Sequence, residues 1–130
     1  MTLLPYAQPW SADGSDIGVL VLHGFTGSPK SVVPWGQSLA ENGWTVTVPR
    51  LPGHGTRWQD MNRTTWQDWY SEADRALAEL RARCSKVFVM GLSMGGTLTL
   101  RLAQEHDDLA GIALVNASVH TERLDRHLLP

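Results

Sequence analysis

Four short apolar runs, Ile17 to Leu22, Trp44 to Val48, Val87 to Met90 and Ile112 to Val115, recur along the chain with helix-like patterns between them. The first, Ile17-Gly-Val-Leu-Val-Leu22, has no polar residue on either alternate set, which is the pattern of a strand buried on both faces. The first intervening helix is expected from Ser28-Pro29 or Pro34 to Gly43, because Pro suits a first helical turn and Gly the position past a helix end. The second is the best marked. Thr64 and Gln67 have capping-box spacing, and Trp66, Trp69, Tyr70, Ala73, Leu77 and Leu80 then recur on one face. The third is expected from Met94 to His106, with Met94, Leu98 and Leu102 four apart. Strands alternating with helices give parallel pairing through right-handed crossovers, so the predicted fold class is an open α/β sheet with helices on both faces.

Composition removes several alternatives. A chain of 130 residues, 42% hydrophobic, is about one domain and buries a core without covalent staples. The net charge of -2 leaves no basic footprint for nucleic acid. The lone Cys84 forms no internal disulfide, and no Cys and His cluster has zinc-ligand spacing, so a reducing, cytoplasmic location is expected. Met1 to Trp10, interrupted by Pro5 and Pro9, does not read as a signal peptide. The apolar runs are far shorter than the ~20 residues that cross a bilayer, so no transmembrane segment is expected.

In open α/β sheets ligands bind beyond the carboxyl ends of the strands. Gly91-Leu92-Ser93-Met94-Gly95 follows the third run and precedes a helix, the context in which G-x-S-x-G marks a nucleophile elbow. A sharp strand-to-helix turn needs room for close backbone approach, which Gly91, Gly95 and Gly96 supply. Ser93 is the candidate nucleophile, and the Met94 N–H, at a helix start, is a candidate oxyanion donor. A second donor is expected from the loop after the first run, where Phe25 follows His23-Gly24. His23 precedes the serine, whereas the histidine of this arrangement comes last in the chain, so His23 is read as structural.

These segments resemble the α/β-hydrolase fold and, within it, the bacterial carboxylesterases and monoacylglycerol lipases. The resemblance rests on Val19 to Pro29 with its His23-Gly-Phe-Thr-Gly loop, Arg50-Leu-Pro-Gly-His54-Gly-Thr56, the Trp66 to Tyr70 stretch and Gly91 to Gly96. It implies Ser93 as nucleophile, the Phe25 and Met94 N–H groups as the oxyanion hole, a structural His54, a small acyl ester or monoacylglycerol as substrate, and no metal or organic cofactor. Such enzymes also need an acid and a histidine after the nucleophile. Glu105 to Asp108 stand at the far end of the helix leaving Ser93, about 18 Å off at 1.5 Å per residue. Of the histidines, only His120 follows a strand near enough to be considered. The expectation is therefore that residues 1–130 are the N-terminal portion of a single hydrolase domain, with the acid and histidine beyond residue 130.

Ile112 to Val115 then becomes an exposed last strand, open to self-association. A non-catalytic fragment or interaction module that keeps the hydrolase sheet is the alternative. A phosphate loop is excluded because Pro29 stands where its pattern needs glycine, and no G-x-G-x-x-G is present. Trp66 and Trp69 are read as the buried face of their helix, while Trp35 and Trp58, nearer the loops, are candidates to line an acyl site.

Overall fold

The computed structural model describes residues 3–118, and the order of elements among them is β1 (Trp10–Ala12), β2 (Ile17–Leu22), α1 (Val33–Glu41), β3 (Thr45–Val48), α2 (Trp58–Met61), α3 (Trp66–Arg83), β4 (Lys86–Leu92), α4 (Met94–Glu105) and β5 (Gly111–Val115). The five strands form one sheet in the order β1-β3-β2-β4-β5. Neighbours from β3 to β5 pair in parallel, as the alternation of periods predicts. The edge strand β1 departs from that expectation, because it runs antiparallel to β3 with Trp10 opposite Val48 and Ala12 opposite Val46. Three residues carry no periodicity, so β1 owes its conformation to this pairing alone.

The unbroken apolar run of β2 is explained by cover on both faces. Leu20 and Leu22 join Leu77 and Leu80 of α3 and Leu98 and Leu102 of α4 in one buried cluster. Val19 and Val21 turn the other way, onto Val46 and Val48 of β3 and the α1 residues Trp35 and Leu39. That second layer stops short. Phe88, beside Val19, is 38% exposed, and an apolar groove of about 360 Å³ runs from Leu39 and Trp44 past Phe88 and Met90 to Gly111 and Ala113; Ile112 and Leu114, in register with Val89 and Gly91 of the first layer, are 40% and 39% exposed. The last described strand is therefore apolar and half-exposed along its length, as expected for an edge suited to burial.

Helix boundaries follow the sequence signals with small shifts. A 3-10 turn at Pro29–Ser31 precedes α1, and Gly43 past its end has φ 86°. The capping box of α3 sits one residue later than predicted, with the Asp68 carboxylate accepting the Thr65 N–H at 2.8 Å. Thr64 has a different use, its hydroxyl accepting the Trp69 indole N–H at 2.9 Å. The shift places Trp66 in the first turn of α3, where it is 50% exposed; of the two tryptophans assigned to the buried face, Trp69 belongs there and Trp66 does not.

Chain order reverses at the sheet centre. From β2 the chain steps to β3 on one side and later to β4 on the other, so a crevice opens between the carboxyl ends of β2 and β4.

Candidate active site

Ser93 stands at the exposed apex of the turn between β4 and α4, with φ 55° and ψ -117°. This is backbone territory that L residues seldom occupy, and it costs on the order of 1–3 kcal/mol unless the surroundings enforce it. The surroundings do so by close approach. A Cβ on Gly91 would lie 2.2 Å from the Gly95 carbonyl oxygen, and one on Gly95 would lie 2.3 Å from that of Leu22. On Gly96 it would meet the Ala117 Cβ at 2.7 Å. All three glycines are thus required by contact, and helix α4 presses directly onto the end of β2. The Ser93 N–H donates to the Val115 carbonyl at 2.8 Å, which ties the elbow to β5.

The loop after β2 reaches the same place. Gly24 is buried against Ser93: a Cβ there would lie 3.3 Å from the serine Cβ and 3.9 Å from its Oγ. Gly24 to Gly27 form a turn closed by the Gly27 N–H on the Gly24 carbonyl at 3.1 Å, with Thr26 at φ 60°. Among the described residues, no backbone carbonyl accepts the N–H of Phe25 or of Met94. The two sequence-predicted donors are thus Phe25, which follows the Gly24 packed on Ser93, and Met94, which follows Ser93 and opens α4, each N–H without a backbone acceptor among the described residues. Gly24 was not singled out from the sequence, although its place between His23 and Phe25 carries the signal.

The two histidines beside this loop are both buried and neutral. His23 Nδ1 donates to the Gly24 carbonyl at 2.9 Å, and Nε2 accepts the Leu51 N–H at 3.0 Å. Both nitrogens are used, and burial, the chief cause, lowers its pKa to about 4. His23 is a latch between the loops after β2 and β3, in keeping with the structural role expected of it. His54 Nδ1 donates to the Pro52 carbonyl at 3.0 Å, while its buried Nε2 has no partner among the described residues. Burial, followed in size by opposing hydrogen bonding and then the Arg50 guanidinium, leaves the His54 pKa lowered.

The remaining candidates divide sharply. His106 lies at the far end of α4, where its Nε2 is 2.7 Å from Asp74 and its Nδ1 3.0 Å from the Arg81 guanidinium, so it joins α3 to α4 and is spoken for. Glu105 pairs with Arg101, and Asp108 with Arg81. His120, His127, Glu122 and Asp125 lie outside the described residues. Trp35, in α1, is half-buried against the valines of β2 and β3. Trp58, 66% exposed, lines a cavity of about 200 Å³ with Thr26 and His54. A cavity of about 480 Å³ lies elsewhere, between Trp10, Arg50 and Arg75. No cluster of three metal-ligating side chains occurs among the described residues.

Residues 18–130 match the family described as alpha/beta hydrolase fold. The chain is 49% identical over 117 residues to the thermostable monoacylglycerol lipase of Bacillus sp. (strain H-257), covering 90% of this chain and 47% of that protein. It is 33% identical over 96 residues to a carboxylesterase of Bacillus subtilis, covering 73% of this chain and 39% of the other. Among solved structures, one described as belonging to two metagenome-derived lipolytic enzymes, LipS and LipT, superposes with a TM-score of 0.92 at 45% identity, covering 95% of this chain and 51% of that one. The chain spans about half the length of the relatives it matches, or less.

Proposed function

The chain belongs to the α/β-hydrolase fold family, and from that premise we propose that it is the N-terminal portion of a single hydrolase domain, that of a serine carboxylester hydrolase of the monoacylglycerol lipase or carboxylesterase type. The observation that carries the reading is the strained, exposed Ser93 beside Gly24, with the N–H groups of Phe25 and of Met94, at the start of α4, lacking backbone acceptors among the described residues. In the proposed reaction Ser93 Oγ adds to the ester carbonyl carbon as its proton passes to a histidine supplied from outside the described residues. The oxygen that gains charge is held by the Phe25 and Met94 N–H groups, a contact made fully only in the tetrahedral state. Collapse expels the alcohol, which takes the proton, and leaves an acyl-Ser93. Water, deprotonated by the same histidine, then releases the carboxylic acid. The substrate class is a small acyl ester or monoacylglycerol. The lone buried Cys84 supports a reducing, cytoplasmic setting, and no described helix is long and apolar enough to cross a membrane.

The test is ester turnover by the full-length protein and by Ser93→Ala. Loss of turnover in the variant is expected; unchanged turnover overturns the reading. A second reading has its own support in the uncovered Phe88, Ile112 and Leu114. It takes the chain as a non-catalytic module whose sheet serves association, and wild-type protein that neither turns over esters nor reacts with a fluorophosphonate at Ser93 would favour it.

A further inference from the structure

Four rings meet under the loop that carries the Phe25 N–H. The Phe25 ring lies 6.0 Å from His54, edge-on at 76°, and 5.5 Å from Trp69. His54 and Trp69 are 5.2 Å apart at 78°, and His23 stands 5.2 Å from His54 on the other side. Each ring other than Phe25 is fixed independently. His23 is bonded through both nitrogens, His54 through Nδ1 and through its own carbonyl, which accepts from Arg50 at 2.9 Å, and Trp69 through its indole N–H to Thr64. Phe25, by contrast, is 38% exposed and follows a glycine. The peptide that carries its N–H is held from the other side, through the Gly24 carbonyl, which accepts the Gly27 N–H at 3.1 Å and the His23 Nδ1–H at 2.9 Å, and the Phe25 side chain is the second means of fixing that loop.

The bonding of His54 says which part of that residue matters. A carbonyl only accepts, so Nδ1 carries the proton and Nε2 presents a bare lone pair. That atom is sealed from solvent by the surrounding rings and meets no donor among the described residues. A nitrogen so placed neither shuttles a proton nor grips a ligand, and what His54 offers its neighbours is a flat ring in a fixed plane. Edge-on aromatic pairs at these separations contribute beyond simple burial, enough to select one orientation of a loop side chain.

We propose that His54 and Trp69 are positioning residues that set the Phe25 peptide against Ser93, with His54 acting through its ring and not through Nε2. The inference deepens the hydrolase reading and rests on it for the catalytic consequence, but its structural half stands by itself. The discriminating comparison is His54→Ala, which removes the ring, against His54→Phe, which keeps the ring and removes both nitrogens. In the full-length protein two readouts are taken. The first is amide hydrogen exchange of the segment 24–28, where the Gly27 to Gly24 bond reports the turn. Exchange there is expected to quicken several-fold in His54→Ala and to stay near wild type in His54→Phe, with β4 unchanged in both. The second is ester turnover. The kcat is expected to fall roughly 10- to 100-fold in His54→Ala with KM nearly constant, because the lost alignment concerns only the transition state, and to recover in His54→Phe. Equal behaviour of the two variants in exchange, in either direction, overturns the proposal. If exchange follows the expectation but Ser93→Ala still turns over ester, the loop assignment stands and the hydrolase reading is what fails.

Discussion

At the scale of single residues, His23 illustrates how a polar group becomes part of the framework. Its ring is fully buried with both nitrogens bonded, and its pKa is lowered to about 4 in the folded chain against 6.5 in the unfolded one. The unfolded state therefore takes up a proton first as pH falls. The contribution to stability is complete above about pH 6.5 and is lost on the way down to about pH 4, amounting to roughly 3 kcal/mol. The lowered pKa of His54 acts in the same direction. Urea midpoints measured at pH 7 and pH 4.5 should therefore fall markedly for the wild type and much less for His23→Gln; parallel falls in both would show that another group governs acid unfolding. The same scale shows what the sequence makes readable. Ser93 and its three glycines form one contiguous string whose spacing encodes a backbone shape. The ring box draws His54 and Trp69 from separate segments, and no local pattern announces that they meet.

At the scale of elements, the alternation of strand and helix was legible because each buried strand needs a continuous apolar run and each helix a stripe. The parts that escaped are those too short to have a period: β1, fixed by pairing with β3, and α2, a single turn. The start of α3 was legible to within one residue, since Thr64 and Thr65 both suit a cap and only Asp68 decides between them. Asp68→Ala should therefore destabilise the protein by about 1 kcal/mol, whereas Gln67→Ala should be nearly neutral. Thermal unfolding of the two variants provides the check, and the reverse ranking would return the cap to Thr64. Losing this cap also matters away from the helix end, because Trp69 begins the face that seats α3 on the sheet.

At the scale of the whole molecule, the sheet has two unlike borders. The β1 border is a three-residue antiparallel strand beside charged groups such as Arg75 and Glu79. The β5 border is apolar, and the groove beside it is lined by Phe88 and Ile112. Natural edge strands are usually shortened, charged or covered, and β5 is none of these among the described residues. The 130-residue chain in isolation is thus expected to associate, with weight-average mass rising with concentration in sedimentation velocity. Ile112→Lys should return it to monomer, and a wild-type chain that stays monomeric at high concentration would argue against association through this border.

The reversal of chain order at β2 also governs when this sheet can be made. The central strand, Ile17–Leu22, waits for Lys86–Leu92 to supply one of its two neighbours, and all of β3 and α3 must be synthesised in between. At translation rates of about 5–20 residues per second, the most apolar strand of the chain spends several seconds outside the ribosome with one flank unpaired. The crevice that places Gly24 against Ser93 is consequently a late product of synthesis. A ribosome stalled before β4 emerges would leave a nascent chain well suited to capture by a chaperone.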